Sequence, residues 1–255
     1  MDADAAAKRK ISVSQQEFPG KEQAMPQPRP MRDELPEGDG GRSVYRAADK
    51  LRGRKAVVTG GDIGIGAATA VLFAREGADS TIAYLPDEKR ERDSAERDAA
   101  DQMMVEDVAD LPEDQWVHTF NTNIHSFFYM SKYALAHMKR GSTIINNASI
   151  HAYVGRPDLL DYTSTKGAVV SFTRGLGNQY LSKGIRVNAV APGPVWTPLI
   201  PTTMNEGAQK EFTSFMGRPA QPSEVASCVV FLASSDSSCV SAQTIHCNGG
   251  VVVNG

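Results

Sequence analysis

Cysteine is scarce: three in 255 residues, with no CxxC spacing. That argues against a disulfide framework or a thiolate zinc site and fits a reduced, cytoplasmic setting. The five histidines form no HExxH pattern, so no metal is expected. Neither sign of charge is in excess, because 27 basic and 30 acidic residues leave a formal charge of −3. Such a balance supplies no basic face for nucleic acid and no polybasic anchor for a membrane. No run approaches the roughly 18 apolar residues of a membrane span. The opening MDADAAAKRK lacks the apolar stretch that a secretory signal needs.

What is present divides at about residue 44. Residues 1–44 are polar and rich in Pro and Gly (QEFPGKEQAMPQPRP, then PEGDGG). They read either as a disordered tail or as an arm that packs along its own domain or a neighbouring subunit, with Phe18 and the prolines as contacts. Residues 45–255 form the second part, where strand and helix patterns alternate. AVVTGGDIGIG is a short β-run, a glycine turn and a helix start, and Ala67, Ala70, Val71 and Ala74 follow at helical spacing up to Gly77. STIAY (80–84) reads as a strand and the charged stretch 87–101 as an exposed helix. Asp114 to Lys139 reads as a long helix with Trp116, Phe120, Phe127, Met130 and Leu135 for burial. STIIN (142–146) reads as a strand, 161–181 as a helix, 185–193 as a buried strand with its loop, 224–232 as a helix and 243–250 as a last strand. The alternation predicts an α/β fold, a Rossmann-type parallel sheet with helices on both faces.

Thr59-Gly60-Gly61-Asp62-Ile63-Gly64-Ile65-Gly66 sits between a strand and a helix. Glycines there let backbone approach a pyrophosphate at a helix N-terminus, although a tight turn by itself also asks for glycine. Tyr162 and Lys166 stand at i and i+4 on one helical face, where the ammonium favours the phenolate form. Tyr162 is therefore a candidate general acid/base, against the plainer reading of a solvated Tyr and Lys. Ser149 ends the preceding strand, and strand ends and helix starts converge at the carboxyl edge of a parallel sheet.

Taken together, TGGDIGIG (59–66), Asn123, Ser149, YTSTK (162–166) and PGPVWTP (192–198) resemble the short-chain dehydrogenase/reductase family. QEFPGKE and HCNGGVVVNG are similar to its glucose and ribitol dehydrogenase subgroup. The resemblance covers residues 50–255. It implies an NAD(P)-dependent oxidoreductase acting on a small-molecule alcohol or carbonyl, assembled as a homo-dimer or homo-tetramer. It gives Tyr162 the acid/base role, Ser149 the substrate oxygen, Lys166 the nicotinamide ribose and support of Tyr162, and Asn123 a water-linked proton relay. Gly60, Asp62, Ile63, Gly64 and Ile65 would line the cofactor, with Pro192, Gly193, Val195 and Thr197 flanking the nicotinamide. Residues from Thr197 to Phe215 would form the substrate lid, and His151 reads either as substrate-facing or as structural. At the end of the second strand, where NAD-preferring relatives carry an acid, stands Tyr84, which favours NADP while leaving NAD open; Lys89 and Arg90 follow. Another nucleotide-binding Rossmann protein, such as a methyltransferase, would account for the glycine turn but not for Ser149, Tyr162 and Lys166 in order.

The family's NNAG strand normally precedes the tyrosine by far more than the distance from Asn146 to Tyr162. TIINNAS therefore belongs to the strand that carries the serine, and no separate NNAG strand exists. A βαβ-like piece of about 30 residues or more is missing near Gln102-Met103. The fold is thus expected to be short of one or two strands. In the family order 3-2-1-4-5-6-7, loss of strand 4 leaves strand 1 with unpaired backbone groups. The alternative to an active enzyme is accordingly an impaired or inactive family variant.

Overall fold

The computed structural model describes residues 14–16, 21–26, 29–38, 40–84, 104–203 and 206–253. Phe18, the charged stretch 87–101, Lys89, Arg90 and the Gln102-Met103 junction lie outside them. The chain forms two compact units.

The first unit comprises the described residues within Met1–Ser94, Gly193–Ser234 and Asn248–Val251. A short antiparallel pair, β1 (Glu34–Pro36) and β2 (Arg42–Val44), leads into β3 (Lys55–Thr59). β3 runs through the glycine turn into α1 (Gly64–Arg75), and β4 (Asp79–Ala83) then pairs in parallel with β3 from Lys55↔Asp79 to Thr59↔Ala83. Helix α1 buries Ala67, Ala68, Ala70, Leu72 and Phe73, and packs on a later helix of this unit, Pro222–Ala233, which buries Val225, Val229, Val230 and Leu232. Small residues on α1 permit that close approach, and the apolar stripe supplies its driving force.

The N-terminal segment is fastened to this unit. Met25 is buried with Trp196 and Ile200, with Phe212 packed against them. The Gln209 side chain accepts from Ser14 N–H at 3.2 Å and donates to Ser14 C=O at 2.8 Å.

The second unit comprises the described residues within Ala95–Pro192, Ser235–Cys247 and Val252–Gly255. A helical run opens with α2 (Glu113–Phe120), passes through a π turn at Asn121–His125 and continues as α3 (Ser126–Leu135). β5 (Thr143–Asn147), the short α4 (His151–Val154), the long α5 (Leu160–Leu181), β6 (Arg186–Val190) and β7 (Thr244–Ile245) follow. β5, β6 and β7 form a parallel sheet in that order. Its core is Ala148, Val169, Val170, Ala189 and Ala191, backed by Ile124, Phe127 and Tyr153. Returning to the first unit, α6 (Leu199–Thr203), α7 (Glu206–Glu211) and α8 (Pro222–Ala233) complete the chain's helices among the described residues.

Three sequence expectations need correcting. The long helix is not uniform: it carries the π turn, and its buried residues are Gln115, Thr119 and Ser131, whereas Trp116 and Met130 are exposed. Gln115 and Thr119 go inward because they meet the Asp161 carboxylate on α5. The last strand is confined to Thr244–Ile245, and the expected span 243–250 includes Gly249 and Gly250, whose positive φ lies outside strand geometry. The expected helix 161–181 starts one residue earlier, behind a 3-10 turn that opens with Pro157.

The shortage of strands has a visible result. Among the described residues, β3 has a ladder partner on one edge only, β4, and β5 likewise has only β6. Val57 in the middle of β3 is 63% exposed and Ile82 on β4 is 44% exposed. In a parallel sheet covered on both faces such positions are buried.

Candidate active site

The glycine turn is built for close backbone approach. Gly60 takes φ +62° and donates its N–H to Ala83 C=O at 2.8 Å. A methyl group on Gly66 would lie 2.0 Å from Gly60 O, so only glycine lets the first turn of α1 close under the loop. Ile63 occupies the N-cap without a side-chain cap, and the first turn holds no acid. Those backbone N–H groups and the helix dipole suit an anion such as a pyrophosphate. Gly64 takes φ +55°, and a methyl there would come within 3.2 Å of the Thr197 methyl. The loop after β6 thus returns to this turn inside the first unit. Gly193 lies so close to the Asn248 backbone that a Cβ would sit 2.7 Å from Asn248 O, and Val195 makes a parallel bridge to Ala220. Asp62 and Ile65 are half-buried on the turn, and Tyr84, just past β4, is 61% exposed. These backbone features suit an anionic ligand at the α1 N-terminus.

The second unit brings the other group together. Ser149 is buried directly after β5, and its hydroxyl accepts the His151 N–H at 3.2 Å, which closes the turn into α4. Ile150 N–H donates to Pro192 C=O at 2.9 Å. On α5, Lys166 is buried, donates from Nζ to Asn147 C=O at 3.1 Å, and stands 5.4 Å from the Tyr162 ring centroid. The ammonium is therefore fixed between the end of β5 and the phenol ring. The His151 ring meets the Tyr162 ring edge-on, with centroids 6.1 Å apart. Asn123 lies in the π turn and donates from Nδ2 to Thr165 Oγ1 at 3.3 Å, while Thr165 Oγ1 donates to Tyr162 C=O at 2.7 Å. A π turn redirects one residue out of the helical register, and such turns occur often at functional sites.

Sequence reasoning missed Asp161. Its carboxylate is buried and accepts from Gln115 Nε2 at 3.1 Å, Thr119 Oγ1 at 2.8 Å and Tyr162 N–H at 2.7 Å. The spacing of Gln115 and Thr119, one helical turn apart and facing one carboxylate, was the available signal. His151 is held below the usual histidine value by burial and then by the Arg156 charge, with Asp158 pulling the other way. Among the described residues no group of His, Cys, Asp and Glu could hold a metal, and no helix is long and apolar enough to cross a membrane.

A family profile described as enoyl-(acyl carrier protein) reductase matches residues 95–252. The chain is 42% identical to the glucose and ribitol dehydrogenase of Daucus carota over 259 aligned positions, with 83% of this chain and 89% of the relative covered. The chain belongs to the short-chain dehydrogenase/reductase family. Within it, the chain is of the glucose/ribitol dehydrogenase-like subgroup, an enzyme of the oxidoreductase class. An uncharacterised oxidoreductase of Schizosaccharomyces pombe is 46% identical over 253 positions, covering 83% of this chain and 88% of the relative. The crystal structure of a 3-ketoacyl-(acyl-carrier-protein) reductase from Brucella melitensis, complexed with NADH, superposes with TM-score 0.67 at 25% identity, covering 78% of this chain and 98% of that one. In the yeast alignment 83% of 255 residues is about 212, so about 40 of the 253 positions face no residue of this short-chain dehydrogenase. Such a deficit is about the size of one βαβ unit.

Proposed function

We propose that this chain interconverts an alcohol and a carbonyl by NAD(P)-dependent hydride transfer, with Tyr162 as general acid/base. The observation that carries the reading is Lys166, fixed by Asn147 C=O and standing over the Tyr162 ring in the same turn region as Ser149. A nicotinamide held by these residues would supply or accept the hydride. In the reducing direction Tyr162 gives its phenolic proton to the carbonyl oxygen, and the C=O double bond becomes C–H and O–H. Ser149 donates a hydrogen bond to that same oxygen as negative charge develops on it. Lys166 favours the resulting phenolate through its charge. Asn123, tied to Thr165 in the π turn, holds the path by which water returns the proton to Tyr162.

The glycine turn, Gly60 to Ile65, takes the pyrophosphate, and Pro192, Gly193, Val195 and Thr197 flank the nicotinamide. Tyr84 stands where a carboxylate would repel a 2′-phosphate, which supports NADP over NAD. The exposed Phe128, Tyr129, Met130 and Tyr133 of α3 support assembly as a homo-dimer or homo-tetramer. Light scattering checks this.

A second reading rests on the bare edges of β3 and β5: a family variant that binds nucleotide poorly and turns over little. Titration of the purified chain with NADPH and NADH, followed by nucleotide fluorescence, decides between the readings. Saturable binding, with a Tyr162→Phe variant that still binds and loses about a hundredfold or more in kcat, upholds the first. Folded protein that binds neither nucleotide upholds the second.

A further inference from the structure

Helices α6 and α7 have five and six residues. Helices shorter than about 12–15 residues do not persist by themselves in water, so these two depend on what packs against them. Among the described residues, their buried positions are Ile200, Pro201 and Gln209, and each meets the N-terminal arm. Ile200 shares a buried cluster with Met25 and Trp196. Pro201 C=O accepts the Gln16 N–H at 3.2 Å. Gln209, only 1% exposed, turns its side-chain amide to both backbone groups of Ser14. A buried amide has no water to fall back on, so that pair of hydrogen bonds fixes the arm on α7.

The later part of the arm is anchored on α8, in the same unit. Met31 N–H donates to Gln221 Oε1 at 3.0 Å, and Met31 C=O accepts the Ser223 N–H at 3.0 Å. The Ser223 hydroxyl donates to Glu34 C=O at 2.6 Å. Trp196, which Met25 helps to bury, stands between Val195 and Thr197. Its N–H donates to Ala220 C=O at 2.8 Å, and the Thr197 methyl faces the turn at Gly64. Packed contacts therefore run from the arm, through Trp196, to the glycine turn.

We infer that the N-terminal arm is a strap that holds α6 and α7, and with them the loop at Thr197, against the glycine turn. Met25 is then a positioning residue: through Trp196 it sets where Val195 and Thr197 stand. This rests on the nucleotide-dependent reading above. Loosening the strap frees the loop, so bound nucleotide leaves faster, while its association, set by encounter, changes little. By linkage, bound nucleotide stabilises the strap as much as the strap stabilises the nucleotide.

Dissociation of NADPH or NADH from the full chain, followed by stopped-flow fluorescence, tests the strap. Met25→Ala empties the cluster beside Trp196 and should speed release about tenfold or more, whereas Met25→Leu, close in volume, should stay within about threefold of the wild type. Gln209→Met keeps the bulk, removes both hydrogen bonds to Ser14 and should speed release about fivefold. Thermal melting shows which variants fold. Saturating nucleotide should slow amide exchange at Ser14 and Gln16 about tenfold in the wild type, an effect that a merely structural arm would not show. Release that is unchanged in both Met25→Ala and Gln209→Met, or arm exchange that ignores nucleotide, overturns the strap and leaves the nucleotide reading intact. Folded wild-type protein that binds neither nucleotide overturns both.

Discussion

The Thr119 hydroxyl donates to the buried Asp161 carboxylate at 2.8 Å, and Asp161 immediately precedes Tyr162. Through this contact and the one from Gln115, α2 sets where α5 begins and hence where the phenol stands. Thr119 Oγ1 also lies 2.9 Å from Gln115 C=O, so its single proton is shared between that carbonyl and the Asp161 carboxylate. Removal of the carboxylate leaves the enclosed Gln115 amide short of an acceptor and the Thr119 hydroxyl with the Gln115 carbonyl alone. Asp161→Ala is expected to lose about 3 kcal/mol of stability by denaturant titration. Thr119→Val, which removes one donor, should lose about 1 kcal/mol. A fall in kcat at unchanged nucleotide affinity would show that the tie positions Tyr162. Unchanged stability in Asp161→Ala would mean that the α5 start is fixed by other contacts.

Gly66→Ala tests the glycine turn without touching any charge. Its methyl would meet the Gly60 carbonyl, a backbone atom that cannot swing aside. The loop must therefore open or α1 must shift. A cost of about 1–3 kcal/mol is expected from overpacking, together with at least about tenfold weaker nucleotide binding in the fluorescence titration. A variant with wild-type affinity would show that the turn does not carry the cofactor.

These two cases also show what could be read before the fold was known. The glycine turn was legible because its requirements are local: a strand, a reversal and a helix start within one short stretch. Ser149, Tyr162 and Lys166 were legible because a strand end and one helical face order them along the chain. Asp161 was not, because its partners lie on another helix. Apolar periodicity assigned the buried face of that helix to Trp116 and Met130, both of which are exposed. Nor does any 3.6-residue template anticipate the π turn at Asn121–His125, which shifts the register at Asn123. The open edges of β3 and β5 were foreseeable from the absence of a separate NNAG strand, since an unpaired central strand follows from topology alone.

Glu76 gives the stability of the first unit a pH dependence. It caps α1, is fully buried, and accepts from Tyr45 Oη, from Ala48 N–H at 3.1 Å and from Lys50 N–H at 2.8 Å. Burial pushes its carboxyl up, but those hydrogen bonds and the Lys50 charge outweigh burial and leave it below the ordinary glutamate value. A carboxyl depressed by folding adds stability above its unfolded value, near 4.3, and loses it as pH falls through the folded value. Stability measured by urea titration should therefore decline below about pH 4.5 more steeply in the wild type than in Glu76→Gln. Parallel acid limbs in the two proteins would remove Glu76 as the cause.

The bare edges of β3 and β5 make the largest demand on the protein, and they can be tested by addition instead of removal. A strand edge carries unpaired N–H and C=O groups, and Val57 and Ile82 add apolar surface open to solvent. About 40 positions of the yeast relative have no counterpart here. A chain rebuilt with the carrot relative's segment inserted after Gln102 is expected to offer β3 a strand to pair with and to cover Val57. Because stability scales with buried apolar area, the rebuilt chain should melt several degrees higher, on the order of 5 °C or more. Its nucleotide affinity should rise as well if the glycine turn and the Tyr162 group serve one dinucleotide. A higher melting temperature with unchanged affinity would confine the effect of the missing segment to stability. An unchanged melting temperature would mean that the open edges cost the protein little.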